Sequence, residues 1–315
     1  MRLSCLLALA TIPLLAESGC SPGAAPSNDA PSPSAFDLPP PTPVGWCPAG
    51  GEPSDPLGLA RCTLARALGA AGVVASVAVS TVADPVAATV VDQAGLSLDA
   101  RPESFVVVTQ DATTTVIGSD AVGALYGAQS LAERIKDAGA AAFPVSPPLT
   151  GAPALPIRAA NPFLLLPQPD EASWYFLDRD YWRDYLDLLL AARINFLDLH
   201  GMYSLDSTIF PNALLYFATS ASFPAVGVPA AERQRNVDAL NDVVAMAAAR
   251  GIRVGLMSYR ADSSLSGGDD PMLASEADLK TYTREAAEDL ARRVPGLWRL
   301  GFRIGESERP ASWYE

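Results

Sequence analysis

The chain has 315 residues, of which 49% are hydrophobic, so it is long enough to bury one or two cores and is not disordered as a whole. Its 35 aspartates and glutamates outnumber 22 lysines and arginines, which gives a formal net charge of −13. A field of that sign repels phosphate backbones and no basic cluster offsets it, so the composition argues against nucleic-acid binding.

The first 20 residues have the pattern of an export signal. Arg2 precedes an apolar run, residues 3–15, that is too short to span a bilayer comfortably. Ser18-Gly19 followed by Cys20 resembles a bacterial lipoprotein processing site, which implies that Cys20 carries a lipid anchor in the cell envelope. Glu17 stands where that pattern has an aliphatic residue, so cleavage by an ordinary signal peptidase, giving a periplasmic or secreted protein, stays open.

Residues 21–43 are rich in proline, serine and alanine, a composition that forms an extended spacer and not a core. Of the four cysteines, Cys5 and Cys20 belong to the leader, which leaves Cys47 and Cys62. In an oxidising compartment these two can form a disulfide; the alternative is two unpaired buried thiols. No metal-ligand spacing surrounds them and the chain has a single histidine, so we expect no metal and no cofactor.

Residues 44–150 are expected to form a small α/β domain. The apolar periodicity predicts a helix over 57–71 and strands over 73–81, 105–109 and 113–117. Asp120 can cap a further helix, whose helical spacing is set by Val122, Leu125, Tyr126, Gln129 and Ile135. A proline-punctuated connector, residues 143–156, ends this domain.

Strands and helices alternate strictly in residues 151–315. Strands are predicted over 157–166, 195–199, 252–257 and 297–304, and helices over 178–193, 232–250 and 275–293. Such alternation predicts parallel βαβ units. Four units are the first half of a (β/α)8 TIM barrel, which takes about 250 residues, so we expect a partial barrel and suspect a truncated sequence.

Two segments resemble a known group of enzymes. Residues 119–135, S-D-A-V-G-A-L-Y-G-A-Q-S-L-A-E-R-I, resemble the non-catalytic α/β domain that precedes the barrel in β-N-acetylhexosaminidases and α-glucuronidases. Arg303-Ile304-Gly305-Glu306 is similar to the hexosaminidase segment His-x-Gly-Gly-Asp-Glu. The resemblance implies an exported glycoside hydrolase that cleaves oligo- or polysaccharides by carboxylate acid/base catalysis. Gly305 stands where the hexosaminidases have the Asp that orients the acetamido group of the substrate.

The resemblance also implies residue roles. Glu306, after the fourth strand, would be the general acid at the barrel mouth; the alternative is a capping or ion-pairing surface residue. Arg158 resembles a first-strand arginine that binds sugar hydroxyls; the alternative is a structural ion pair. His200 ends a segment similar to the family's Asn-x-x-x-x-His and would bind a sugar hydroxyl, whereas a lone histidine is otherwise structural. Tyr203 and Tyr259, which follow the second and third strands, are candidates for stacking on sugar rings.

Glycoside hydrolysis normally needs a second carboxylate. Four acidic residues lie near strand ends without a distinguishing motif: Asp198, Asp206, Asp262 and Glu308. Two other functions stay open. One is a non-catalytic, surface-tethered carbohydrate-binding or interaction protein with a degenerate barrel, and the other is a merely structural envelope lipoprotein. The oligomeric state does not follow from the sequence.

Overall fold

The computed structural model describes residues 47, 51–166, 173–204, 211–258, 264–265 and 270–302, all of which lie in one compact unit of the chain. Several sequence predictions fall outside the described residues: the leader and spacer, Cys20, Tyr259, Glu306, Asp206, Asp262 and Glu308. Among the described helices, none is long and apolar enough to cross a membrane.

A four-stranded mixed sheet organises the first part of the chain. Its elements are α1 (Pro56–Ala71), β1 (Ser76–Thr81), α2 (Pro85–Gln93), β2 (Phe105–Gln110), β3 (Thr113–Gly118), α3 (Ala121–Ala138) and β4 (Leu149–Gly151). The strand order is β1-β3-β2-β4. β1 runs parallel to β3, whereas β2 runs antiparallel to both β3 and β4.

Successive side chains of the strands point to opposite faces of this sheet, and both faces are apolar. Helices α1 and α3 cover one of these faces. Val107 and Val116 of the sheet and Leu125 and Leu131 of α3 are fully buried in the shared core. A smaller cluster on the opposite face packs against α2. Asp120 caps α3 as the sequence predicted, since its carboxylate accepts hydrogen bonds from the backbone amides of Gly123 (2.8 Å) and Glu103 (3.0 Å).

Cys47 and Cys62 form a disulfide, with their Cα atoms 4.7 Å apart. Cys62 is fully buried in α1. The bond therefore attaches the segment that precedes this helix to the core of the first sheet. It corresponds to the disulfide expected of an oxidising compartment and not to the alternative of two free thiols.

A second, parallel sheet organises the rest of the described chain. Its elements are β5 (Ala159–Ala160), β6 (Leu164–Leu165), α4 (Arg179–Ala191), β7 (Phe196–His200), β8 (Met202–Tyr203), α5 (Leu214–Phe217), α6 (Ala230–Ala249), β9 (Arg253–Ser258), α7 (Glu276–Arg293) and β10 (Arg299–Phe302). Four strands pair in the order β10-β9-β7-β5, all parallel. The predicted α/β class with parallel βαβ units is confirmed. The first predicted strand is divided into β5 and β6, and β6 pairs with β8 instead.

Helix α4 shows where the predicted apolar face was wrong. The sequence spacing favoured Tyr181, Tyr185, Leu188, Leu189 and Ala192 as the buried stripe. The helix buries Trp182, Leu186, Leu189 and Leu190, while Tyr181 is 43% and Leu188 64% exposed. Tyr181, Tyr185 and Leu188 continue the apolar stripe beside the buried residues, so periodicity alone does not identify which side of this wide stripe meets the core.

Glu285 of α7 holds the turn that follows α5. Its carboxylate accepts hydrogen bonds from the Ser220 hydroxyl (2.6 Å) and from the Ser222 amide and hydroxyl (both 2.9 Å). The Ser220 hydrogen bond, followed by those of Ser222, lowers the pKa of Glu285 to about 2. Because an unfolded glutamate titrates near ~4.3, the ionised form stabilises the fold above that pH, and this contribution is lost as the pH falls towards the folded pKa.

We therefore expect Glu285→Gln to melt at a lower temperature than the wild type at neutral pH, with the difference closing as the pH falls from about 5 to about 2. Thermal unfolding followed by circular dichroism across this pH range measures the effect. Glu288→Gln, which changes an exposed carboxylate of the same helix, is the control. A difference in melting temperature that is constant across the whole range would contradict the assigned role of the carboxylate.

Candidate functional site

The carboxyl ends of β5, β7, β9 and β10 lie along one edge of the parallel sheet. In parallel α/β folds this edge carries the ligand-binding loops, because helices and connections leave it open. The residues that follow β5, the end of β7 with β8, and Ser258 at the end of β9 form the described part of the edge.

His200 and Tyr203 meet at this edge through Phe163. The His200 backbone amide donates a hydrogen bond to the Pro162 carbonyl (2.8 Å), which holds β7 beside the segment after β5. The Phe163 ring contacts the imidazole edge-to-face with centroids 5.0 Å apart, and the Tyr203 ring lies 5.8 Å from Phe163. The structure thus brings together two of the residues that the sequence assigned to sugar binding.

The turn between β7 and β8 positions this cluster. Gly201 has φ +73°, a left-handed backbone that a glycine adopts without steric cost. Its carbonyl accepts the Leu164 amide (2.9 Å), and the Tyr203 carbonyl accepts the Leu166 amide (2.8 Å). The Trp174 indole donates to the Leu165 carbonyl (2.6 Å). These hydrogen bonds hold the backbone between His200 and Tyr203 beside β6, and Trp174 holds β6 in turn.

Asn212 and Ser258 support the next part of the edge, and the sequence reasoning missed them. Asn212 is fully buried, and its Oδ1 accepts hydrogen bonds from the Ser258 hydroxyl (2.9 Å) and the Leu214 amide (3.0 Å). The Ser258 hydroxyl accepts the Ala213 amide (3.2 Å). This network attaches the segment before α5 to the end of β9. An asparagine directly before a short apolar run was the available signal in the sequence.

Arg158 lies away from this cluster. It precedes β5 and therefore sits at the amino end of the sheet, opposite His200. Its guanidinium forms an ion pair with Glu103 of the first part of the chain and donates to the Leu155 carbonyl (2.7 Å) and the Tyr126 hydroxyl (3.3 Å). This placement corresponds to the structural ion pair that the sequence left as an alternative. The structure does not bring Arg158 to the edge where sugar binding was predicted.

Glu306 and Tyr259, the other two predicted site residues, lie outside the described residues. Within the described ranges, no group of histidine, cysteine, aspartate or glutamate side chains is arranged to hold a metal ion. The described edge consequently offers hydrogen-bonding and aromatic groups around His200, Phe163 and Tyr203.

No protein-family model and no curated protein sequence matches the chain. Solved structures match its fold. A "GH138 enzyme targeting pectin rhamnogalacturonan II" superposes with a TM-score of 0.61 at 20% identity over 80% of this chain. Neither sheet's part of the chain is that long, so the matched region includes residues of both parts. The chain shares the fold of part of this enzyme. The glycoside hydrolase resemblance that the sequence indicated is therefore confirmed at the level of fold.

Two further structures complete the comparison. "Structure of CpGH84D" has a TM-score of 0.50 at 12% identity over 79% of this chain. "A Glycoside Hydrolase Family 20 beta-N-Acetylglucosaminidase" has a TM-score of 0.40 at 13% identity over 77% of the chain, a likeness too weak to carry an argument. The chain spans 37% of the length of the GH138 enzyme and 39% of that of CpGH84D.

Proposed function

We propose that this chain is part of an exported glycoside hydrolase that cleaves glycosidic bonds of oligo- or polysaccharides by carboxylate acid/base catalysis. The observation that carries the proposal is the parallel sheet with His200 and Tyr203 together at its carboxyl edge, in a fold shared with glycoside hydrolases. That edge is where barrel enzymes bind and transform their substrates.

In this proposal Glu306 is the general acid that protonates the leaving-group oxygen. It follows Phe302, the last residue of β10, by four positions in the sequence, and we assign it to the edge that holds His200. His200 binds a sugar hydroxyl, and Tyr203 and Tyr259 stack on sugar rings. Arg158 is assigned to the ion pair with Glu103 and not to the substrate.

A closed barrel would complete the site. β5 and β10 are the outer strands of the described four-stranded sheet, where a barrel would add its further strands. Those strands would contribute the second carboxylate that glycoside hydrolysis needs. We propose that residues 44–150 form the accessory α/β domain and that residues 151–315 begin the catalytic barrel.

Export and lipid anchoring are part of the same proposal. The leader with Cys20 and the proline-rich spacer suit a domain held off a membrane, and the Cys47–Cys62 disulfide suits an oxidising compartment. Carbohydrate of the envelope or its surroundings would then be the substrate. Pectin rhamnogalacturonan II, which the GH138 enzyme targets, is one polysaccharide to test.

A non-catalytic carbohydrate-binding protein is the second candidate, and Gly305 favours it because hexosaminidases have a functional Asp at that place. Calorimetric titration with oligosaccharides, paired with a panel of chromogenic glycosides, separates the candidates. Binding with turnover supports the hydrolase, and binding without turnover supports the binding protein. If neither binding nor turnover is observed, the structural envelope lipoprotein is the function that stays open, and our proposal is contradicted.

A further inference from the structure

The register of the parallel sheet aligns four residues across its inner face. Asp198 of β7 pairs with Gly255 of β9, which in turn pairs with Arg299 of β10. The pairing of Ala160 with Leu197 places Asn161, the next residue after β5, beside Asp198. We call Asn161, Asp198, Gly255 and Arg299 the inner polar row.

The row faces away from the helices. Leu197 and Leu199, on either side of Asp198, are fully buried in the core that the helices cover. Because successive side chains of a strand point to opposite faces, Asp198 points to the inner face. Inner faces of barrels of this type are usually filled with bulky branched side chains, and this row has an amide, a carboxylate, a glycine and a guanidinium instead.

Gly255 makes room for the Asp198 side chain. A Cβ atom at Gly255 would lie 3.0 Å from the Asp198 carboxylate oxygen Oδ1 and 3.0 Å from the Phe196 ring, so these two groups occupy the space over the glycine. On the far side, the Arg299 Nε atom lies 3.6 Å from where a Cβ of Gly301 would be. The guanidinium is therefore directed along β10 towards the edge that holds His200. Asn161 and Arg299 are both exposed.

Asp198 is only 8% exposed, and its Oδ1 is inaccessible to solvent with no hydrogen-bond partner among the described residues. A buried carboxylate oxygen without a donor costs free energy, so packing alone does not account for an aspartate at this position. Leucine or valine in its place would cost less. An aspartate here is therefore better explained by a polar partner that the described residues do not include.

The rows above and below limit where that donor can come from. Below, Phe196 and Trp298 pack edge-to-face with centroids 5.0 Å apart, and the Arg253 guanidinium lies 4.9 Å from the Trp298 ring centroid. Above, the next row holds His200, Met257 and Gly301, close to the carboxyl ends of the strands. Because barrel enzymes bind ligands at the carboxyl ends of their strands, we place the approach of a ligand at the His200 edge.

We propose that the inner polar row is the floor of the saccharide site and determines its specificity. A sugar hydroxyl donates to the Asp198 carboxylate and accepts from Arg299 or Asn161, and Gly255 lets the carboxylate lie in the row, where a larger side chain would displace it. This inference rests on the proposed function, since it assigns a floor to the same site, but it concerns binding and not bond cleavage.

The test measures saccharide affinity and stability in the same variants of the full chain. Calorimetric titration uses rhamnogalacturonan II oligosaccharides and chitotriose as probes. For a probe that the wild type binds, we expect Asp198→Asn, Arg299→Gln and Gly255→Ala each to weaken binding at least about tenfold. Asp184→Asn on the exposed face of α4 and Arg253→Gln in the packed row below are the matched controls and should bind like the wild type.

Stability separates a binding role from a structural one. Because Asp198 lacks a donor among the described residues, Asp198→Asn should melt at the wild-type temperature or above it while its affinity falls. Asp198→Asn with a lower melting temperature and unchanged affinity would overturn the inference, as would a wild type that binds neither probe. Turnover without any dependence on Asp198 would leave the proposed hydrolase intact and refute the floor. Asp198-dependent binding without turnover would support the inner polar row as the floor of a saccharide site and would refute the proposed hydrolase.

Discussion

Replacing Arg158 with methionine is expected to lower the free energy of unfolding by about 3–5 kcal/mol. Arg158 and Glu103 form an ion pair whose side chains are only 16% and 13% exposed, so removing one charge leaves the other buried. The Asn195 side-chain amide also donates to Glu103 (2.8 Å), and the Tyr126 hydroxyl contacts Arg158 (3.3 Å). The pair thus joins the first sheet to the start of the second.

Denaturant unfolding of the wild type, Arg158→Met, Glu103→Gln and the double variant measures this coupling. The double variant should lose less than the sum of the single losses, because no unpaired charge remains. Arg101→Met, which removes an exposed ion pair with Asp99, is the control and should unfold close to the wild type. Wild-type stability of Arg158→Met together with lost saccharide affinity would instead favour the sugar-binding role that the sequence suggested.

Gly123→Ala is expected to destabilise the chain by about 3 kcal/mol or more, because the added methyl group would push helix α3 away from the backbone of residues 103 and 104. A Cβ atom at Gly123 would lie 2.2 Å from the Ser104 carbonyl oxygen and 3.0 Å from the carbonyl carbon of Glu103. Both are backbone atoms that cannot rotate away, so α3 would have to move off the start of β2. Glu103 itself has φ +67°, which leaves this connection little freedom to adjust.

The matched control is Gly69→Ala in α1, where an added Cβ meets no atom within 4 Å. Alanine there should leave stability unchanged or raise it by up to about 1 kcal/mol, since it favours helix. Chemical denaturation of the two variants gives the comparison. Equal stabilities for Gly123→Ala and Gly69→Ala would contradict the close packing of α3 on the first sheet.

Local signals of the sequence predicted the helix starts well. Asp120, Asp178 and Ser275 each cap the helix that the sequence placed after them, with side-chain oxygens that accept amides of the first turn. Such caps depend on residues within one helical turn, which a sequence displays directly. The sequence also predicted the α/β class, because strands and helices alternate along the second part of the chain.

Helix α2 was missed, although Asp84 caps it and Pro85 occupies its first turn. Its nine residues include three valines and one threonine, which favour strands, and the packing of α2 on the sheet overrides that preference. The first strand of the second sheet was predicted as one run over 157–166. Its two pieces pair with different strands, β7 and β8, a choice that only tertiary structure makes.

The site was predictable only where strand ends determine it. His200 and Tyr203 follow one strand and its turn, so the sequence could place both at one edge. The partner of Arg158 is 55 residues away in another part of the chain, which no local pattern indicates. The inner polar row depends on the register of four strands, so the sequence indicates Asp198 only as a possible second carboxylate and does not place it in a row with Arg299.

Glu306 is the proposed general acid of a glycoside hydrolase, and its carboxyl group is the group on which turnover would depend. The most direct test compares turnover of a chromogenic glycoside panel by the native full-length protein and by its Glu306→Gln variant. We predict turnover by the wild type and a loss of about a hundred- to ten-thousandfold in the variant, with unchanged melting temperature and saccharide affinity. Equal turnover by the two proteins, or none by the wild type, would contradict the account.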